Sequence, residues 1–70
     1  MLTNRQWLES LTDNQLAAFL TTGLYVRPAH YAGTYATYIN IREVAAQYTQ
    51  SQLGIEKWLS MPQDFVIVEE

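Results

Sequence analysis

Apolar residues recur every three or four positions in two parts of this chain, near its start and near its end. In the first part, the spacing predicts a helix from about Asn4 to Ser10 and a second helix that starts at Asp13. Gly23 stands just past the second pattern, where a left-handed glycine usually ends a helix. Two short helices without a spacer must meet at a sharp corner. Their apolar faces carry Trp7, Leu8, Leu11, Leu16, Phe19 and Leu20.

Two helix-start signals of the same form support these helices. Thr3 and Thr12 are each followed three residues later by a glutamine, Gln6 and Gln15. In such a capping box the threonine hydroxyl accepts from the glutamine backbone N–H, and the glutamine side chain accepts from the threonine N–H. Each cap stabilises a helix by roughly 1 kcal/mol. We therefore predict that each helix begins one residue after a threonine.

The last third of the chain repeats the helical pattern. A cap signal at Asn40 predicts a helix that begins at Ile41 and ends near Tyr48. A final helix should follow, capped by Thr49 or Ser51, and it carries apolar residues at helical spacing.

One continuous helix over residues 41–59 is the alternative, because glutamines in the linker are good helix formers. Gly54 and the polar Thr-Gln-Ser cluster before it favour a break or kink. Pro62 stops the final helix in either case.

Between the two helical parts, from Leu24 to Tyr38, the helical periodicity is lost, and we predict loop or irregular extended structure there. A short strand is favoured over Tyr35 to Ile39 because tyrosine, threonine and isoleucine favour β structure, although the tyrosine spacing also fits a helix. The tail from Asp64 to Glu69 is a strong β former. We expect it to pair with the Tyr35 to Ile39 segment or with a partner chain.

These elements predict one small domain over residues 1–70 that is mainly α, with α+β as the alternative. Three to four short helices should pack around Trp7 and Trp58, with a short β element from the middle segment and the C-terminal tail. Each tryptophan lies on an apolar helical face beside a leucine, so a core role explains both better than a ligand site does.

Composition and charge narrow the function. Half of the residues are hydrophobic and none is cysteine, which favours a compact core and excludes disulfides and zinc–thiolate sites. Seven acidic residues against four basic ones give a net charge of −3, with no basic cluster. Direct nucleic-acid binding is therefore not expected. The chain shows neither a signal-peptide core nor an apolar run of bilayer length, so we predict no membrane contact and a cytoplasmic location.

Catalysis has little support in the sequence. The only histidine, His30, sits in a loop of proline, alanine and glycine, with no acid near it in sequence to orient it. We interpret His30 as a surface loop residue. No spacing of ligand residues is typical of a metal site, and no glycine-rich phosphate loop occurs. The sequence therefore predicts a non-enzymatic protein with no cofactor and no metal.

A cluster of tyrosines in the middle segment is the candidate binding surface. Tyrosine is amphipathic, loses little side-chain entropy on ordering, and is enriched in binding surfaces when small residues surround it. A structural role, in which tyrosines cover a thin core, is the alternative. The candidate partner-binding residues are Tyr25, Arg27, His30, Tyr31, Tyr35 and Tyr38.

Two segments carry a family resemblance. Residues 4–20, NRQWLESLTDNQLAAFL, and residues 53–63, LGIEKWLSMPQ, resemble the N-terminal and C-terminal signatures of short uncharacterised proteins of phages and prophages of Gram-positive bacteria. Many of those proteins place cysteines between the two signatures, and this chain has none there. A metal function of the cysteine-bearing proteins is therefore not carried over.

The resemblance implies an accessory protein of a mobile element that acts in the cytoplasm of a bacterial host. The small size of this chain and its lack of catalytic groups favour action by protein–protein binding. The most concrete version is an anti-defence inhibitor, of the anti-CRISPR type, that binds a host effector nuclease of a type II CRISPR system. A small nucleic-acid-binding regulator is one alternative, because two short helices with a sharp turn imitate a helix-turn-helix. A self-associating protein, such as a homodimer paired through residues 65–68 or through an exposed aromatic face, is another.

Overall fold

The computed structural model describes residues 2–29, 35–49 and 51–68. In these ranges four helices surround one side of a small antiparallel sheet, which confirms a mainly α fold with an α+β arrangement. The elements in chain order are α1 (Asn4–Ser10), α2 (Asp13–Leu20), β1 (Leu24–Pro28), β2 (Thr37–Ile39), α3 (Ile41–Gln47), α4 (Gln52–Ser60) and β3 (Phe65–Ile67).

Both predicted capping boxes are present at the starts of α1 and α2. The Thr3 hydroxyl accepts from the Gln6 N–H at 3.2 Å, and the Thr3 N–H donates to Gln6 Oε1 at 2.9 Å. Thr12 and Gln15 repeat the arrangement at 3.2 and 3.0 Å. Because a capping signal is local in sequence, it placed the start of each helix correctly.

The predicted break between α3 and α4 is confirmed. Thr49 has a φ of +61°, a left-handed conformation that cannot continue a helix. Of the two predicted caps for α4, Ser51 is the one used, and its hydroxyl accepts from the Gly54 N–H at 3.0 Å. The chain therefore turns sharply at this linker and packs α4 against α3.

Thr49 is strained, which gives a first testable prediction. A β-branched residue in the left-handed region costs roughly 1–2 kcal/mol. We expect Thr49→Gly to raise the free energy of unfolding by about 0.5–1 kcal/mol, because the greater chain entropy of unfolded glycine offsets part of the gain. Urea unfolding monitored by circular dichroism checks this. Thr21→Gly, at an exposed position with negative φ, is the control and should destabilise; a loss of stability in both variants would contradict the prediction.

The sheet differs from the prediction in two ways. Its strand order is β2-β1-β3 with both pairs antiparallel, so the central strand is β1, in a region predicted to be loop or irregular. The tail pairs with β1, and not with the Tyr35 to Ile39 segment, of which Thr37–Ile39 is strand. The alternation of buried Leu24 and Val26 marks β1, but the alternating run is short and ends at a proline. β1 is stabilised by pairing with β2 and β3, which both lie farther along the chain.

The core lies between the sheet and the helices and is built around three aromatic rings. Trp7 and Trp58 are both buried, as predicted, and Phe19 lies between them with its side chain fully buried. The Phe19 ring centroid is 6.0 Å from that of Trp7 in an edge-to-face contact, and 6.1 Å from that of Trp58 in a stacked contact. Phe19 therefore links α1 and α4, a role that the sequence analysis did not assign to it.

The beginning and end of the described chain are tied together. Thr3 and Pro62 form an isolated antiparallel bridge, and the Asn4 N–H donates to the Met61 carbonyl at 2.9 Å. The buried Asn4 side chain also donates from Nδ2 to the Trp58 carbonyl at 2.7 Å. The segments that carry the family resemblance, residues 4–20 and 53–63, thus form one structural unit.

Candidate protein-binding surface

The two faces of the sheet differ in what they contact. Along β1, Leu24 and Val26 point into the core, so Tyr25 and Arg27 point to the opposite side. The register places Tyr38 of β2 beside Tyr25 and Val66 of β3 beside Arg27. We call the surface formed by Tyr25, Arg27, Tyr38 and Val66 the tyrosine face.

The centre of the tyrosine face is an aromatic pair. The Tyr25 and Tyr38 rings meet edge to face, with ring centroids 4.9 Å apart and an angle of 69° between the ring planes. This arrangement is favourable for aromatic rings, and it holds both side chains in place. Tyr25 is nevertheless 39% exposed and Tyr38 56% exposed. The two rings therefore support each other while both remain exposed.

Arg27 and Val66 form the second row of this face. Val66 is 39% exposed, and Arg27 is partly buried. The only ion pair among the described residues joins Arg5 to Glu9 on α1, so Arg27 is not neutralised by a salt bridge within that part of the chain. The tyrosine face thus combines aromatic and aliphatic surface with a guanidinium group, a combination that is common at protein interfaces.

The structure brings together three of the six candidate binding residues that the sequence analysis chose. Tyr25, Arg27 and Tyr38 share the tyrosine face. Tyr35 is 59% exposed and lies two residues before β2. His30 and Tyr31 lie outside the described residues.

Sequence reasoning missed Val66 as part of this surface. The tail was predicted to be a strand, and in a strand Val66 must point to the side opposite Phe65 and Ile67. Those two residues pack against the core. The alternation of side chains along the strand already separated Val66 from Phe65 and Ile67. Placing Val66 on the tyrosine face also required knowing that β3 pairs with β1.

A second surface feature is a groove of about 270 Å³ between α1 and the end of α4. It is lined by Thr3, Arg5, Glu56, Leu59 and Ser60. Arg5 is already paired with Glu9 at 3.2 Å on the exposed side of α1. Both hydroxyls of the lining are engaged within their own helices: Thr3 Oγ1 accepts from the Gln6 N–H at 3.2 Å, and the Ser60 hydroxyl donates to the Lys57 carbonyl at 2.7 Å.

Two further kinds of site, a metal-ligand cluster and a membrane-spanning helix, were searched for in the part of the chain that the structure describes. There, no group of three or more histidine, cysteine, aspartate or glutamate residues is arranged to hold a metal ion. None of the helices in the same ranges has the length and apolar character needed to cross a bilayer.

Comparison of the chain with protein-family models, with curated proteins and with solved structures finds no match. The resemblance of residues 4–20 and 53–63 to phage and prophage proteins therefore stays a prediction.

Proposed function

We propose that this protein acts by binding another protein through the tyrosine face. The observation that carries the proposal is the exposed, ordered pair of Tyr25 and Tyr38 on the side of the sheet away from the core. A small domain buries a small apolar core, and packing these two rings against its own helices would enlarge that core. On the opposite face both rings stay accessible, and a partner that covers them would bury this apolar surface.

The proposal includes an origin and a target class. We propose that the protein is an accessory product of a phage or prophage, and that it blocks a host defence protein, most concretely a type II CRISPR effector nuclease. The origin is supported by the resemblance of residues 4–20 and 53–63. Blocking by occupation of a surface is supported by the small size of the protein and by the character of the tyrosine face.

Charge separates this proposal from nucleic-acid regulation. In a helix-turn-helix the second helix contacts bases and phosphates, and α2 carries no basic residue. The candidate recognition helix α3 carries only Arg42. On an acidic chain, that supply of cations is poor for a phosphate contact.

The test compares capture of host proteins by matched variants. Tagged wild-type protein and a Tyr25→Ser, Tyr38→Ser variant are incubated with lysate of a Gram-positive host, and retained proteins are identified by mass spectrometry. We expect one host protein to be retained by the wild type and reduced about tenfold or more by the double variant, because buried tyrosines dominate interface energetics. A Leu20→Ser, Leu53→Ser variant is the control, because both leucines are exposed and lie outside the sheet.

A second arm addresses the target class directly. Purified type II effector nuclease with its guide RNA cleaves target DNA in the presence of the wild type or of each variant. Inhibition by the wild type and by the leucine variant, but not by the tyrosine variant, supports the anti-defence role. Retention that is equal in all three proteins would overturn binding through the tyrosine face. Retention of DNA alone would favour the regulator. All variants are first checked for native circular dichroism.

A further inference from the structure

The outer edge of β3 presents backbone groups that β1 does not use. The Val68 N–H donates to the Tyr25 carbonyl at 2.8 Å, and the Ala29 N–H donates to the Asp64 carbonyl at 2.9 Å. In an antiparallel strand the backbone N–H and C=O groups of successive residues point alternately to one edge and to the other. The backbone groups of Val66, like those of Asp64 and Val68, therefore point toward β1. Phe65 and Ile67 therefore direct their N–H and C=O groups away from the sheet.

Little of the described chain covers this edge. β3 is the last strand in the order β2-β1-β3, and no further strand among the described residues lies beside it. The Gln63 side chain donates from Nε2 to the Phe65 carbonyl. A glutamine amide has the same donor group as a peptide bond, so Gln63 occupies one place that an added strand would take.

The charges around β3 indicate which kind of strand fits its outer edge. From Pro62 to the end of the sequence there are three acids, Asp64, Glu69 and Glu70, and no basic residue. A second copy pairing antiparallel through this edge would add a second strand of the same acidic segment, with Asp64 and no cation in the described part of each strand. Like charges across a strand pair are destabilising. A segment that carries lysine or arginine would instead be attracted.

Side-chain direction adds a second requirement. Residues of an added strand opposite Phe65 and Ile67 lie on the core side of the sheet, where those two side chains are only partly buried. Apolar residues fit there. Opposite Asp64, on the other face, a basic residue fits. Read along an antiparallel strand, the pattern is apolar, any, apolar, then lysine or arginine.

We propose that the outer edge of β3 binds an extended basic segment of a partner protein as a fourth, antiparallel strand. The added strand gains main-chain hydrogen bonds from Phe65 and Ile67, displaces the Gln63 amide, and places its cation beside Asp64. This site borders the tyrosine face at Val66, and its test leaves the tyrosine side chains unchanged.

The experiment uses two hexapeptide probes and three proteins made by total chemical synthesis. KVTVRK carries the required pattern, and EVTVEE reverses its charge. The proteins are the wild-type chain, a chain with an N-methyl group on the Ile67 amide, and a control with an N-methyl group on the Tyr38 amide. Tyr38 is matched because Leu24 and Val26 pair with Ile39 and Thr37, which turns the Tyr38 amide to the other outer edge.

We expect KVTVRK to bind the wild type saturably and to shift the NMR amide resonances of Phe65 and Ile67. N-methylation at Ile67 should weaken this binding about tenfold or more, and N-methylation at Tyr38 should not change it. EVTVEE should bind at least about tenfold more weakly than KVTVRK. Circular dichroism confirms that each synthetic protein folds.

Four outcomes would overturn the proposal. These are no saturable binding of KVTVRK, equal binding to the Ile67 N-methyl protein, equal binding of the two peptides, or concentration-dependent shifts of Phe65 and Ile67 without peptide. The last outcome would assign the edge to a second copy of this chain.

Discussion

Gly54→Ala is expected to remove a large part of the protein's stability. A Cβ atom at residue 54 would lie 2.1 Å from the Tyr48 carbonyl oxygen and 2.9 Å from the Tyr48 Cβ. The nearest atom belongs to the backbone, so relief requires that the end of α3 move away from α4. We expect a loss of at least about 3 kcal/mol in the free energy of unfolding. A chain of this length has roughly 4–10 kcal/mol in total.

The sign of this effect is informative. In an open helical position, replacing glycine with alanine stabilises a helix by about 1 kcal/mol. Thermal and urea unfolding followed by circular dichroism measure the change in Gly54→Ala. The control is Gln52→Ala, which is exposed in the same helix and should change stability by less than about 0.5 kcal/mol. A Gly54→Ala protein as stable as the wild type would show that α3 and α4 do not pack this closely.

The helices could be predicted because their signals are local. A threonine followed three residues later by glutamine positions the start of a helix regardless of the rest of the chain. The break between α3 and α4 was likewise predicted from Gly54. The reason for that glycine was not predictable, because its contact with the Tyr48 carbonyl exists only once the linker has turned.

The sheet was harder to predict because strand pairing is not local. Val26 is fully buried, but the residues paired with it are Thr37 and Ile67, one of them far along the chain. The pattern of β1 covers five residues and ends at Pro28, which by itself is typical of a loop. Only its pairing with β2 along one edge and with β3 along the other identifies it as the central strand.

Only part of the candidate surface was predicted, again because strand pairing is not local in sequence. Composition indicated that tyrosines cluster in the middle segment, but it could not assign them to a face. The antiparallel register brings Tyr25 and Tyr38 into contact, and it adds Val66 from the far end of the chain. A binding surface assembled across three strands is visible only when the strand order is known.

The one-sided core explains why this surface is exposed. All four helices are short, and the described helices and the inner side of the sheet enclose the same aromatic cluster. In a chain of 70 residues, little is left to cover the second side of a sheet. An antiparallel sheet tolerates this because one of its faces can lie in water. The tyrosines therefore meet solvent or a partner.

Phe19→Ala is expected to be about as damaging as Gly54→Ala, through the opposite physical effect. The fully buried Phe19 ring contacts Trp7 on one side and Trp58 on the other. Removing it leaves a cavity between α1 and α4, and substitutions of this kind cost about 3–5 kcal/mol. Phe19→Leu keeps most of the volume and should lose clearly less.

Tryptophan fluorescence is the best measurement for Phe19→Ala, because both tryptophans line the cavity. We expect red-shifted emission and a lower urea midpoint, since Trp7 and Trp58 become accessible to water when the core opens. Leu20→Ala is the matched control: the neighbouring leucine is 53% exposed, and its loss should change stability by less than about 0.5 kcal/mol. If both variants unfolded at the wild-type midpoint, Phe19 would not join the two tryptophans. The N-terminal and C-terminal helices would then be held together by the Asn4 and Thr3 backbone contacts instead.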